Sequence, residues 1–224
     1  MEFDRPEMAQ GLYPYLLQLV GSENGVMAAM EEYARRRRFP IIGPLVGRFL
    51  LQLAIILGAR RVLEIGSGFG YSAAWFFRAH SELTVVCTDS SELNRERCLE
   101  FLTKLEFEKR VDFRVGDALE NAVKAEGSFD IIFLDIDKSR YAEAFKRTLS
   151  KLRLGGLFIA DNALWRGYAF VDAAQDTPEF RKRMIQGVRE FNKVTHETTG
   201  VLTTLLPLRD GVSVSLKLSE DVRV

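Results

Sequence analysis

The sequence predicts an α/β protein built on a doubly wound, mostly parallel sheet, with helices before the sheet and an antiparallel hairpin at its end. Three patterns support this prediction. Short apolar runs alternate with helical segments from residue 58 onward, which is typical of a parallel sheet covered by helices on both faces. Residues 1–57 instead repeat apolar side chains at helical spacing. Near the end, two β-rich runs flank Arg209–Asp210–Gly211, and an Asp–Gly turn is a hairpin signal.

The elements follow in order along a chain that we predict to be one domain, with a helical extension over residues 1–57 and a core over residues 58–224. The extension has apolar residues at helical spacing before and after a glycine turn at residues 21–25, and again over residues 45–57. Core strands are predicted at residues 61–65, 83–88, 110–115, 129–134 and 156–160. Core helices are predicted over residues 71–79 and 140–152, with another that begins after Ser90 or Ser91. The hairpin strands are predicted at residues 202–208 and 212–218.

The composition is that of an ordinary globular protein. The chain has 224 residues, 47% of them apolar, and its 31 basic and 31 acidic side chains cancel. A net charge of zero argues against binding nucleic acid by bulk electrostatics, although it leaves room for a local basic patch. Cys87 and Cys98 lack the spacing of a metal or redox site, and the N-terminus does not resemble a signal peptide. Residues 40–58 are apolar but interrupted by prolines and glycines, so we expect a buried core helix, no membrane span and a cytoplasmic protein.

The strongest local signal is a glycine-rich turn between the first core strand and the next helix. Gly66, Gly68 and Gly70 allow a tight turn and a close approach of the backbone to a ligand. A dinucleotide-binding turn would place its third glycine at position 71, where this chain has Tyr71. The pattern therefore suits a smaller ligand end, such as an amino-acid carboxylate. Asp89 ends the next strand, where an acid can accept hydrogen bonds from ribose hydroxyls, and together these features favour a nucleoside-type cofactor.

Polar residues also follow the fourth and fifth strands. Asp135 lies at the end of the fourth strand, and Asp161 and Asn162 lie at the end of the fifth. Because the carboxyl ends of parallel strands face one crevice, these three oxygen donors are expected to converge, and such a set points to magnesium, manganese or calcium. Lys138 would lie beside that metal as a general base. The alternative is that both acids only cap loops and that Lys138 pairs with Asp137.

The motifs that carry these residues resemble a known family, the cation-dependent O-methyltransferases of the catechol and caffeoyl-coenzyme A type with their bacterial members. The resemblance runs from about residue 39 to the C-terminus, and its specific segments are LEIGSGFGYS, FDIIFLDIDKSRY, GGLFIADNALWRG and LPLRDGVSVS. It implies a Rossmann-like methyltransferase sheet, and members of this family are often homodimers. One position departs from the pattern, because the family often has Glu-Gly-Gln where this chain has Val46–Gly47–Arg48.

The resemblance also implies a role for each matching residue. S-adenosylmethionine would contact residues along the first four strands: Glu64, Gly66, Gly68, Gly70, Ser72, Asp89, Asp117 and Asp135. Within this set, Asp89 would bind the ribose and Asp117 would lie near the adenine. Asp135, Asp161 and Asn162 match the family's metal ligands, and Lys138 matches its catalytic lysine. The metal, Mg²⁺ or else Mn²⁺ or Ca²⁺, would chelate two neighbouring oxygens of the acceptor while Lys138 takes the proton and the oxyanion attacks the sulfonium methyl group.

The sequence leaves two acceptors open. One is a small catechol-like hydroxylated molecule, and the other is 5-hydroxyuridine at the wobble position of tRNA, since a bacterial branch of the family with a similar layout methylates that base. Two basic clusters, residues 35–38 and 181–183, either bind phosphates or are ordinary solvated charges. Residues 167–178 are the expected substrate-selecting loop, with Trp165, Tyr168 and Phe170 as candidate pocket walls.

Two other classes of protein are considered and disfavoured. An NAD-linked dehydrogenase would need the glycine that Tyr71 replaces, and it would leave Asp161 and Asn162 unexplained. A non-catalytic nucleotide-binding module would not need Lys138 beside three metal-type ligands. We therefore predict an S-adenosylmethionine-dependent O-methyltransferase.

Overall fold

A seven-stranded sheet forms the centre of the protein in the computed structural model, which describes residues 6–172, 174 and 176–223, without the side chains of residues 6–10 and Arg166. The strands are β1 Arg61–Ile65, β2 Thr84–Asp89, β3 Val111–Val115, β4 Phe129–Leu134, β5 Leu152–Ala160, β6 Val201–Leu206 and β7 Val212–Lys217. Their order across the sheet is β3-β2-β1-β4-β5-β7-β6. Strands β1 to β5 are parallel, β7 is antiparallel to β5, and β6 is antiparallel to β7. The predicted doubly wound sheet with a C-terminal hairpin is confirmed.

The helices within the described part of the chain are α1 Pro6–Val20, α2 Gly25–Arg37, α3 Gly43–Leu57, α4 Tyr71–Phe77, α5 Glu92–Lys104, α6 Ala118–Lys124, α7 Tyr141–Thr148 and α8 Glu179–Glu197. Ser91 caps α5, since its hydroxyl accepts a hydrogen bond from the Asn94 N–H at 3.2 Å. Of the two predicted caps, Ser91 is therefore the one used.

The region between α7 and β5 differs from the prediction. A helix was expected over residues 140–152, but α7 ends at Thr148 and β5 already begins at Leu152, four residues before its predicted start at Gly156. Gly155 has a φ of +72°, and the pairing with β4 shifts register after Leu152 pairs with Phe129. Gly155 explains the early start of β5, because its left-handed conformation lets the strand continue through the register shift. The pattern of apolar residues in the sequence does not reveal such a shift.

Two apolar layers, one on each face of the sheet, hold the helices in place. Consecutive residues of one strand belong to opposite layers. Val62 and Ile131 pack towards α3, α4 and α5, whereas the residues that follow them, Leu63 and Ile132, pack towards α6 and α7. Successive side chains of a strand point to opposite faces, so a strand covered on both sides must be apolar almost throughout. This burial gives the strand ends, where the polar residues lie, a fixed support.

Helix α3 packs with one face only. Val46, Leu50 and Ala54 are buried at helical spacing, whereas Ile55 and Ile56 are 56% and 81% exposed. The expected buried core helix is therefore correct for one face of α3 and wrong for the other. Among the residues that the structure describes, no helix is long and apolar enough to cross a membrane.

Gly47→Ala is expected to lower the free energy of unfolding by roughly 3 kcal/mol, because a methyl group at this position overlaps the indole of Trp75. Trp75 is fully buried and cannot move aside without displacing its neighbours. Urea unfolding followed by circular dichroism measures the change. Gly11→Ala is the matched control, since a Cβ there meets nothing within 4 Å. Equal stability of the two variants would contradict this account of α3 packing on α4.

Candidate active site

The turn between β1 and α4 requires glycine for steric reasons. The N–H groups of Gly66 and Ser67 donate to the Thr88 carbonyl oxygen at 3.0 and 2.9 Å, which ties the turn to the end of β2. Gly66 has a φ of +91°, and a Cβ there would overlap the backbone carbonyl of Asp135. A Cβ at Gly70, with a φ of +84°, would overlap the Cys98 sulfur. The turn is therefore pressed against the ends of β2 and β4, at the point where strand order reverses and ligands bind in such sheets.

A cavity of about 240 Å³ opens above this turn. Its lining includes Gly66, Gly68, Ser72, Asp89 and Asp135, together with the segment 39–42 that connects α2 to α3. Asp89 is held rigidly at the wall, because its carboxylate accepts hydrogen bonds from three N–H groups. The donors are the backbone N–H of Gly68 at 3.0 Å, the backbone N–H of Ser91 at 2.9 Å and the side-chain amide of Asn94 at 2.9 Å.

Glu64 lies on β1 directly beneath the turn and is completely buried. Its Oε1 has no hydrogen-bond partner, and its Oε2 accepts only a weak hydrogen bond from the Cys87 thiol at 3.7 Å. Burial raises the pKa of this carboxyl to about 7, although the nearby hydroxyl groups of Ser72 and Ser67 oppose the shift. A buried acid with one open oxygen is suited to pair with a positive group bound above it.

The buried Glu64 predicts a pH dependence for the cofactor-free protein. Its pKa in the folded state is raised to about 7, above the value of about 4.3 in an unfolded chain. The stabilising contribution of the neutral acid is thus complete below about pH 4.3 and is lost as the pH rises through 7. Glu64→Gln stays neutral, so we expect it to be more stable than the wild type at pH 8 by roughly 2–3 kcal/mol, with a smaller difference at pH 5.

Urea unfolding at pH 5, 6, 7 and 8 measures this difference. Glu82→Gln, at an exposed position, is the control and should follow the wild-type curve. If the free energy of unfolding of Glu64→Gln changes with pH in the same way as that of the wild type, the raised pKa of Glu64 is contradicted.

Asp117 lies at the start of α6 and does not line the cavity above the turn. It caps α6 by accepting the Glu120 N–H at 3.0 Å, and its carboxylate pairs with the Arg140 guanidinium at 2.7 Å. That ion pair lowers the pKa of Asp117. Its expected position beside an adenine therefore stays a prediction.

A second cavity of about 420 Å³ adjoins the first and brings together the other predicted residues: Asp135, Lys138, Asp161 and Asn162. The two cavities share Asp135, Lys138 and the segment Pro40–Ile41 as common walls. The strand ends explain the convergence, because Asp135 N–H donates to the carbonyl of Ile65 at 2.9 Å and Asp161 N–H donates to that of Leu134 at 3.2 Å. A ligand in one cavity therefore lies next to a ligand in the other.

Lys138 pairs with Asp135 rather than with Asp137. Its Nζ lies 2.8 Å from Asp135 Oδ1 and 3.1 Å from the carbonyl of Ile136, and its side chain is only 13% exposed. The Asp137 carboxylate instead accepts the N–H of Ser139 at 2.8 Å and caps the following turn. The ammonium group is thus fixed at the boundary between the two cavities.

Asp161 is the most unusual acid of the site. It is 1% exposed, its Oδ1 has no hydrogen-bond partner, and its Oδ2 lies 4.0 Å from the Arg209 guanidinium. Burial raises the pKa of Asp161, and the nearby charge of Asp135 raises it further. Asn162 has a φ of +56°, and its Nδ2 lies 3.5 Å from the Asp210 carboxylate, so the amide nitrogen faces the hairpin.

Two residues of this site were not predicted. The Tyr141 hydroxyl donates to the Asp161 carbonyl at 3.1 Å and lies 3.5 Å from Asp135 Oδ1, so it links the two acids. Arg209 approaches from the hairpin. Tyr141 could have been found in the FDIIFLDIDKSRY segment, whereas nothing in the sequence pattern indicates which way Arg209 points.

The fold and the site define a class of protein: an α/β protein with a glycine-rich cofactor turn and an adjoining acid–lysine cavity. Comparison with known proteins gives the family. The sequence profile of a family described as O-methyltransferase matches residues 22–218, so the chain belongs to the O-methyltransferase family. This confirms the prediction of an S-adenosylmethionine-dependent O-methyltransferase.

Individual relatives agree with this assignment. The chain is 28% identical to the caffeoyl-CoA O-methyltransferase of Medicago sativa over 223 residues, which cover 94% of this chain and 90% of that protein. A methyltransferase from Geobacter sulfurreducens superposes with a TM-score of 0.79 at 32% identity, covering 94% and 96% of the two chains. The O-methyltransferase from Bacillus cereus, solved in complex with SAH, superposes with a TM-score of 0.81 at 26% identity, covering 92% and 97%.

Proposed function

We propose that this enzyme transfers the methyl group of S-adenosylmethionine to one of two adjacent oxygens on a small, catechol-like acceptor, and that the reaction depends on a divalent cation. One observation carries the proposal: Asp161 presents a buried carboxylate oxygen without a partner at a cavity that Asp135, Asn162 and Lys138 also line. A buried unpaired carboxylate oxygen is costly, and a cation in the cavity would remove that cost.

The donor set fits a hard divalent cation. Asp135, Asp161 and Asn162 offer only oxygen ligands, which suits Mg²⁺ and then Mn²⁺ or Ca²⁺. Among the residues that the structure describes, no three His, Cys, Asp or Glu side chains form a metal cluster, but Mg²⁺ commonly needs only one or two protein carboxylates. When bound, such an ion stabilises the acceptor oxyanion as a Lewis acid.

The cofactor's methionine end fits the smaller cavity. We propose that Glu64 faces its ammonium group through Oε1, which has no other partner. Gly66, Gly68 and Ser72, which line this cavity, would form the floor of the site, whereas Gly70 contributes only as the N-cap of α4. Asp89 would accept the ribose hydroxyls, since a carboxylate has about four acceptor positions and only three donors reach it here. The solved SAH complex of the Bacillus cereus relative supports the identity of the cofactor.

Lys138 is proposed as the general base. Its Nζ is held at the boundary of the two cavities by Asp135 and by the Ile136 carbonyl, so it faces both the cofactor and an acceptor in the larger cavity. Nζ pairs with Asp135 as an ammonium, so it must first release one proton to solvent. The neutral amine then takes the hydroxyl proton, the acceptor oxygen forms a bond to the methyl carbon, and the bond from that carbon to sulfur breaks to leave S-adenosylhomocysteine. The shared cavity walls align the two reactants.

The aromatic lining of the second cavity favours an aromatic acceptor. Trp165 and Tyr168 line it with their rings 5.4 Å apart, and aromatic walls of this kind suit an aromatic ring. The basic run at residues 35–38 gives less support for tRNA, because none of its residues lines either cavity and Arg35 and Arg36 both pair with Glu32. Of the second cluster, Arg181 lines the larger cavity, and this observation keeps wobble 5-hydroxyuridine as the second candidate acceptor.

Transfer of labelled methyl from S-adenosylmethionine distinguishes the acceptors. The enzyme is incubated with Mg²⁺ and either caffeate or bacterial tRNA that carries 5-hydroxyuridine. We expect label in caffeate. Label in tRNA alone would replace the small acceptor with the wobble base, and label in neither, with S-adenosylhomocysteine still bound, would contradict both.

We also propose that the enzyme forms a homodimer in the cytoplasm. Apolar side chains are exposed on the N-terminal helices, among them Leu19, Ile55 and Ile56, and a second copy could cover them. Both cysteines are unpaired, which suits a reducing compartment. Light scattering should give about twice the mass of one 25.4 kDa chain.

A further inference from the structure

The turn of the β6–β7 hairpin is fixed on the segment that follows Asn162. The Asp210 carbonyl accepts the N–H groups of Leu164 and Trp165 at 2.8 and 3.0 Å, and the Gly211 carbonyl accepts that of Ala163 at 2.9 Å. A Cβ at Gly211 would lie 2.5 Å from the backbone nitrogen of Leu164, so the contact is tight. The backbone on the C-terminal side of Arg209 therefore has a defined position above the acidic site.

Arg209 itself is held at both ends. Its backbone has a φ of +54°, a left-handed conformation that L residues adopt at a cost. Its Nη1 donates to the Ile41 carbonyl at 2.5 Å and lies 4.0 Å from Asp161 Oδ2. The side chain is 28% exposed and lines the larger cavity. A guanidinium keeps its charge at all physiological pH values, so a permanent cation faces Asp161.

The acidic pair of the site is consequently balanced by two cations of the protein. Lys138 neutralises Asp135 at 2.8 Å, and Arg209 faces Asp161 at 4.0 Å. A divalent ion that binds to these acids must either push the Arg209 guanidinium away from Asp161 or remain close to it and be repelled by its positive charge. Either requirement weakens binding of the ion.

We propose that Arg209 is a positioning residue that acts as a built-in counter-charge of Asp161 and lowers the affinity of this site for a divalent cation. The inference rests on the proposed function, because it concerns the cation that we assign to Asp135, Asp161 and Asn162. The wild-type enzyme then needs a higher concentration of free Mg²⁺ for full transfer activity than a variant that lacks Arg209.

Binding of Mn²⁺ alone tests this role, with free Mn²⁺ measured by electron paramagnetic resonance in the absence of cofactor and acceptor. Arg209→Gln should bind Mn²⁺ on the order of tenfold more tightly than the wild type. Arg209→Lys keeps the charge and should stay within about threefold of the wild type. Arg114→Gln removes the same charge from an ion pair with Asp112 on the edge strand β3, and it should leave Mn²⁺ affinity unchanged.

The outcomes separate this inference from the proposed function. Equal or weaker Mn²⁺ binding by Arg209→Gln, while Asp161→Asn still abolishes binding in the wild-type background, overturns the role of Arg209 and leaves the cation site intact. If neither the wild type nor Arg209→Gln binds Mn²⁺, both the cation site and the role of Arg209 are wrong. Thermal unfolding with S-adenosylhomocysteine checks that each variant is folded, and a lower Mg²⁺ activation constant for Arg209→Gln would provide independent support.

Discussion

Asp161→Asn is expected to abolish methyl transfer, with kcat at least about 10³-fold below the wild type, while S-adenosylhomocysteine still binds. The variant keeps the shape of the side chain but removes the charge that we assign to holding a cation. Asp161 does not line the smaller cavity, so the cofactor site should be unaffected. Labelled methyl transfer and calorimetric titration with S-adenosylhomocysteine measure the two effects separately.

The same substitution should stabilise the cofactor-free protein. Burial raises the pKa of Asp161, and the charge of Asp135 raises it further. Ionisation of this acid therefore lowers the free energy of unfolding once the pH exceeds the pKa that Asp161 has in the unfolded chain. Asp161→Asn should therefore unfold at a higher temperature than the wild type at pH 8. The control is Asp112→Asn, at an exposed acid on β3. A variant that loses activity and stability together would indicate a structural role and contradict the assignment.

Lys138→Met is expected to lower kcat by about 10²–10⁴-fold, the usual contribution of a positioned general base. Methionine fills similar space without a group that can take a proton. Lys138→Arg should fail as well, because a guanidinium keeps its proton at any pH in this range. Lys146→Met is the matched control, since that lysine lies on the surface of α7 near Glu190.

An acceptor that ionises without help provides the critical comparison for Lys138. 4-Nitrocatechol loses a proton near neutral pH, so it does not need a base. With 4-nitrocatechol as acceptor, the kcat of Lys138→Met should therefore be close to that of the wild type, whereas with caffeate it should remain far below it. Equal losses with both acceptors would show that Lys138 does not act as the base.

The sequence was sufficient to predict the sheet and the glycine turn. Runs such as Phe129–Leu134 are apolar throughout because both faces are buried, and this pattern is visible without a structure. Helix α6 was missed, since only Leu119 and Ala122 of its seven residues are buried, and two apolar positions do not establish a helical period. The division of the chain into an extension over residues 1–57 and a core stays a prediction.

The convergence of Asp135, Lys138, Asp161 and Asn162 on one cavity also follows from strand topology, because consecutive strand ends meet at one edge. The contacts of long side chains do not follow in this way. Arg209 lies 48 positions beyond Asp161 in sequence, and Arg140 reaches Asp117 from a turn after the next strand. Such pairs depend on how the hairpin and the helices pack, which local sequence patterns do not encode.

Removal of divalent cations from the wild-type enzyme tests the central claim most directly. Labelled methyl transfer to caffeate is measured in the presence of EDTA and again after Mg²⁺ is added in excess. We predict that EDTA abolishes transfer, that Mg²⁺ restores it, and that Asp161→Asn shows no restoration. A full rate in EDTA would contradict a cation held by Asp135, Asp161 and Asn162.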